Sequence, residues 1–175
     1  MNKLPHFITS IESPGFGTID VHFVNSKATS SDAIPLLFLH GWPGSFMEVM
    51  KALPALNEAG FNVVAPSLLG YGFSTYPDEA GFNHRKHAEV LNALMLRLGY
   101  DEYVVQGGDW GSEIARTLGL LHPEHVKAVH QNMVRPHHPC LEAGAKFHRW
   151  QWQSQTSRME SPNTPRANGI VSTEH

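Results

Sequence analysis

Cysteine is nearly missing from this sequence: Cys140 is the only one in 175 residues. No internal disulfide framework can form, and no N-x-S/T acceptor is present. No apolar run reaches the roughly 18 residues that would mark a bilayer span. The first residues, MNKLPHFITS, lack the apolar core of a secretory signal, so a cytoplasmic location is expected. A charge excess is missing too. Thirteen Lys/Arg against 16 Asp/Glu leave a net of −3, which gives no electrostatic case for nucleic acid or an anionic membrane. An apolar content of 41% excludes a chain disordered throughout, and the length fits one domain.

What is present divides into two parts. Residues 1–134 hold eight basic and 13 acidic residues, a net of −5. Residues 135–175 hold five and three, a net of +2, and their only Leu, Ile or Val residues are Leu141, Ile170 and Val171. Such a stretch buries too little apolar surface to offset the entropy of ordering it. The expectation is a folded unit over 1–134 and a poorly ordered tail over 135–175, with Trp150 and Trp152 able to dock a short piece.

Within the first part, short apolar runs alternate with helical patterns. Phe7–Ile11 and Thr18–Val24 alternate as half-buried strands, with Pro14, Gly15 and Gly17 as the turn. Ile34–Leu39 (IPLLFL) is nearly continuous, as in a strand buried on both faces. Ser45 to about Leu56 reads as one helix, with a Ser45/Glu48 capping box and Met47, Val49, Met50, Leu53 and Leu56 inward. Strands are predicted over Phe61–Ala65, Tyr103–Gln106 and Val126–His130. Helices are predicted over residues 84–98, with Ala88, Leu91, Met95 and Leu98 on one face, and over Trp110–Leu121. This order predicts an α/β fold, a mostly parallel sheet with helices on both faces. Ligands of such sheets bind beyond the carboxyl ends of the strands.

Two of those ends carry chemistry. Q-G-G-D-W-G, Gln106 to Gly111, has the spacing of a nucleophile elbow with Asp109 at the nucleophile position. A strand turning directly into a helix brings chain segments very close, so Gly107 and Gly111 spare side chains that would collide. Asp109 at the helix N-terminus would be held ionised by free N–H groups and the macrodipole, which suits a covalent nucleophile. The blander reading is that Asp109 only caps its helix. The second end is H-G-W-P-G-S, His40 to Ser45, directly after IPLLFL. In elbow-type hydrolases this loop and the residue after the nucleophile supply the oxyanion-hole amides, here Trp42 and Trp110.

These motifs, with P-S-L-L-G-Y-G-F-S (Pro66 to Ser74) between them, resemble the epoxide hydrolase branch of the α/β-hydrolases. The microsomal and juvenile-hormone type and its fungal relatives are the nearest pattern. The resemblance runs from about Leu4 to about Val134. It implies that Asp109 opens an epoxide to form an ester, which water then hydrolyses to a diol. Trp42 and Trp110 would lend oxyanion-hole amides, and Pro43 would shape the turn through a cis peptide with Trp42. His40, Gly41, Gly107, Gly108 and Gly111 would support these loops, His40 bracing its loop rather than moving protons. Leu69 departs from the proline usual before G-Y-G, with only a local effect expected. Haloalkane dehalogenases share the Asp nucleophile but carry Asn or Glu after H-G, so Trp42 favours an epoxide.

The resemblance also implies parts this chain does not show. Relatives protonate the leaving oxygen with two lid tyrosines and activate water with a late histidine. Here Tyr71, Tyr76, Tyr100 and Tyr103 all precede Asp109, and no tyrosine follows it. Of the seven later histidines, His122 and His125 fit capping and His130 lies in a strand. His137, His138, His148 and His175 fall in the tail. Only Met1–Lys3 precede the first strand, where relatives carry a helical segment. The expectation is a partial α/β-hydrolase core lacking lid and last strands, whose Val126–His130 edge favours self-association. His84-x-x-His87 and His122-x-x-His125 have no third ligand, so neither metal nor cofactor is expected. Three readings stand: an epoxide hydrolase acting on a small apolar epoxide, a dehalogenase-like hydrolase, and a non-catalytic fragment or interaction module.

Overall fold

The two alternating segments at the start of the chain form a hairpin. β1 (His6–Ser13) pairs antiparallel with β2 (Gly17–Ser26), from His6 opposite Val24 to Ser13 opposite Gly17. Gly15 at φ +86° and Gly17 at φ +70° make the turn in backbone space that disfavours other residues. The computed structural model describes residues 4–133. The expected tail over 135–175 lies outside them.

β3 (Ile34–Leu39), β4 (Phe61–Pro66), β5 (Tyr103–Gly107) and β6 (Val126–Gln131) fall on the predicted strands. The sheet order is β1-β2-β4-β3-β5-β6. β3 runs parallel to β4 and β5, and β5 to β6, while β2 meets β4 antiparallel. The core is therefore parallel, with an antiparallel hairpin along one side.

Burial shows why β3 and β4 read as nearly continuous apolar runs. Leu37, Leu39 and Val64 join Ile19, Val21 and Phe23 under α2 (His84–Arg97) and α3 (Trp110–Leu121). Their sequence neighbours Leu36, Val63 and Ala65 point the other way, against Phe46, Val49 and Leu53. Alternate side chains thus enter two cores, and both faces are covered by helical chain. On α2, Ala88, Leu91 and Met95 are fully buried as predicted, and Asn83 caps the helix by accepting from the Arg85 and Lys86 amides.

One element differs from expectation. Residues 45–56 do not form a single helix but a 3₁₀ helix, Phe46–Lys51, followed by the short α1 (Leu53–Glu58). Pro54 lies in the first turn of α1 and has no N–H to continue the ladder from the preceding turn. The capping box is also not built as expected: Ser45 Oγ accepts from the Met47 amide at 3.3 Å, and the Glu48 amide donates to the Ser45 carbonyl instead. A threefold repeat faces Phe46 and Val49 inward and leaves Met47 54% exposed, contrary to the α-helical stripe.

The carboxyl ends of β3, β4 and β5 are Leu39, Pro66 and Gly107. They lead into the three loops that carry H-G-W-P-G-S, S-L-L-G-Y-G-F-S and G-D-W-G.

Candidate active site

β5 turns into α3 within two residues, and the backbone at the corner is strained. Asp109 has φ +51° and ψ −121°, the only positive φ at a non-glycine among the described residues. Such a conformation costs about 1–3 kcal/mol and persists only where surrounding structure enforces it. The enforcement is visible. A Cβ on Gly111 would sit 2.5 Å from the Leu39 carbonyl oxygen and 2.6 Å from that of His40, so α3 starts hard against the end of β3. A Cβ on Gly107 would overlap the Gly111 carbonyl, and one on Gly108 would lie 2.7 Å from Asn132 Oδ1. Ser112 ties the corner from inside, donating its hydroxyl to the Gly107 carbonyl at 2.8 Å. Its amide donates to the Asp109 carbonyl at 3.0 Å. Gln131 on β6 donates to the Ser112 carbonyl at 2.7 Å.

The Asp109 side chain turns away from its own helix. Its side chain makes no capping hydrogen bond to α3. Instead Oδ1 accepts the backbone N–H of Trp42 at 2.9 Å, across 67 residues of sequence. Gly41 makes that approach feasible, since a Cβ there would lie 2.8 Å from Asp109 Oδ1. The Trp42–Pro43 peptide is cis. Trp110 opens α3, and its ring stands edge-on to His84 at 5.2 Å. Both indoles keep solvent-facing surface, Trp42 at 68% and Trp110 at 40% exposure, with Phe73 and Tyr76 also exposed nearby in sequence to the glycine-rich loop.

His40 is buried beneath this loop. Leu68 donates its amide to His40 Nε2 at 2.9 Å, and His40 Nδ1 lies 3.0 Å from the Gly41 carbonyl. Burial holds its pKa below the ordinary histidine value, against the opposing pull of the Gly41 carbonyl and the Glu48 charge. Tyr71 meets His40 edge to face at 5.2 Å. Burial, and then the negative charge of Asp109, raise the Tyr71 phenol above its usual value. Tyr71, Leu68, Ser112 and Asn132 were not singled out from sequence. Tyr71 and Leu68 stand in the S-L-L-G-Y-G-F-S motif, but nothing in its spacing says that Leu68 meets His40.

Most of the other described histidines serve the framework. His22 is buried, with Nδ1 2.9 Å from Ser67 Oγ and Nε2 3.0 Å from His6 Nδ1. His87 Nδ1 reaches the Asn83 carbonyl at 3.2 Å. His122 caps α3, and His125 Nδ1 reaches the Asp101 carbonyl at 2.7 Å, so both sit at the helix stop as expected. His130 lies exposed on β6.

Comparison with known proteins agrees with this geometry. The alpha/beta hydrolase fold family matches residues 34–167, and the epoxide hydrolase N-terminus matches residues 1–49. Epoxide hydrolase 1 of Sus scrofa is 42% identical over 146 residues, a match covering 76% of this chain and 31% of that protein. Juvenile hormone epoxide hydrolase 1 of Ctenocephalides felis is 41% identical over 142 residues, covering 76% and 30% respectively. Among solved structures, the Aspergillus niger epoxide hydrolase superposes with a TM-score of 0.69 at 38% identity, over 78% of this chain and 36% of that one. The juvenile hormone epoxide hydrolase of Bombyx mori gives 0.67 at 38% identity, over 75% and 36%. The chain thus spans about a third of the length of the curated relatives it matches. An elbow aspartate, a facing amide from the loop after β3 and these matches lead to one statement: the chain belongs to the alpha/beta hydrolase fold family, and within it is a relative of the epoxide hydrolases.

Proposed function

We propose that this chain carries the nucleophilic half of an epoxide hydrolase, with Asp109 attacking a small apolar epoxide. The observation that carries the reading is the 2.9 Å bond from the Trp42 amide to Asp109 Oδ1. An aspartate that merely capped α3 would turn its carboxylate to its own helix. This one is presented to the oxyanion loop at the cost of a strained backbone. With Oδ1 anchored, Oδ2 attacks an epoxide carbon, a new C–O bond forms, and the ring C–O bond breaks. The ring oxygen leaves with the electron pair and takes a proton from water or an acid. In the second step water adds to the ester carbonyl and gives up a proton to solvent or a base, and negative charge returns to Oδ1. Trp42 and Trp110 are the amides assigned to that oxyanion. Collapse releases the diol and restores the carboxylate.

The two steps are unequally supported by the residues in hand. Ester breakdown needs a base to activate water, and among the described residues the buried His22, His40 and His87 are engaged by the fold. Ester formation is therefore expected to outrun ester breakdown. Incubation with a small aryl epoxide, followed by intact-mass and peptide analysis, should show one adduct per chain, on Asp109. Asp109→Asn should abolish it. No adduct, or an adduct that survives Asp109→Asn, would overturn the reading. Sustained diol release would keep the nucleophile and overturn the predicted accumulation.

A further inference from the structure

His40 sits between two backbone groups that leave it no choice of tautomer. The Leu68 N–H can only donate, so Nε2, 2.9 Å away, accepts and carries no proton. The Gly41 carbonyl can only accept, so Nδ1, 3.0 Å away, carries the proton. The Gly41 carbonyl and the Trp42 N–H are the two ends of one peptide group, and that N–H donates to Asp109 Oδ1 at 2.9 Å. Four groups therefore form one unbroken donor-to-acceptor chain: Leu68 N–H, the imidazole, the Gly41–Trp42 peptide and the Asp109 carboxylate. His40 is 1% and Leu68 1% exposed, and the Tyr71 ring lies against the imidazole, so water does not compete along the inner part of the chain. In such a setting each bond polarises the next.

We propose that His40 is a positioning residue that acts through the Gly41–Trp42 peptide, strengthening the Trp42 amide as a donor to Asp109 and tying the glycine-rich loop to the oxyanion loop. The proposal rests on the reading of Asp109 given above and adds a second consequence to it. Esterification takes charge off Oδ1, and hydrolysis puts charge back. A stronger Trp42 donor therefore favours the second step and gives the first no help.

Two variants of the full chain separate this role from plain packing. His40→Asn keeps a donor near the Nδ1 position, and His40→Gln keeps an acceptor near Nε2. In the 15N-labelled wild type, the His40 imidazole should show a protonated Nδ1 and a bare Nε2. The Trp42 amide resonance should move upfield in His40→Gln and stay near its wild-type position in His40→Asn, with the Leu68 amide behaving the opposite way. Adduct isolated from His40→Gln should lose its ester about tenfold more slowly than wild type, a smaller effect than deleting an oxyanion donor outright. His40→Asn should restore most of that rate. A proton on Nε2 in the wild type, or equal effects of both variants on the Trp42 amide, would overturn the proposal. If either variant fails to fold, the wild-type imidazole spectrum still decides. If no ester forms at all, the reading of Asp109 falls, and the imidazole and amide spectra still judge His40.

Discussion

Three buried histidines among the described residues tie stability to pH. His22, His40 and His87 are each held below the ordinary histidine pKa, chiefly by burial; in His22 the neighbouring His6 adds to the effect, and in His87 His84 does so weakly. The unfolded chain, with histidines near pH 6.5, takes up protons that the folded chain resists. Stability is thus fully present above about pH 6.5 and falls as pH drops below it, by at most about 1.4 kcal/mol per pH unit for each histidine. Urea midpoints measured from pH 7.5 down to pH 5 should fall monotonically. A flat profile across that range would show that the three imidazoles are not neutral in the fold. The same residue scale holds the clearest limit of the sequence. A histidine invites a reading as a base, yet among the described residues partners fixed elsewhere in the chain decide what the buried ones do. His40 is tied to Leu68, 28 residues on, and His22 to Ser67, 45 residues on.

At the scale of elements, most of the fold was written locally. Period-two runs became β1 and β2, near-continuous runs became β3 and β4, and the stripe Ala88, Leu91 and Met95 became the buried face of α2. Residues 45–56 read as one helix because their apolar residues satisfy either helical period, and Pro54 alone marks the break between the 3₁₀ helix and α1. Glycines of the elbow were legible as a pattern, but what they avoid was not. Gly111 faces carbonyl oxygens of Leu39 and His40, backbone atoms that no side-chain movement can clear. Gly111→Ala should therefore push α3 away from β3 and destabilise the chain by about 1–3 kcal/mol, as overpacked sites do. A urea midpoint unchanged from wild type would mean that the contact between α3 and β3 is looser than described.

At the scale of the whole molecule, the sheet ends at β6 among the described residues, with one partner, β5. A strand bordered on one side only offers unpaired backbone groups, although Lys127, paired with Glu102, puts charge beside that edge. We propose that the chain self-associates along β6: sedimentation across a concentration series should show the mean mass rising, and a constant monomer mass would overturn this. No helix among the described residues is long and apolar enough to cross a membrane. Composition and motif order were enough to specify an α/β fold, the strand ends that carry the motifs, and Asp109 as the residue to test, because periodicity and turn chemistry act over a few residues. Only the tertiary structure decided that Asp109 meets the Trp42 amide rather than its own helix, and that His40 holds its proton on Nδ1. Those outcomes depend on carbonyls and amides brought together from distant strands, and a backbone group is the same in every residue, so its partners leave no mark in the sequence.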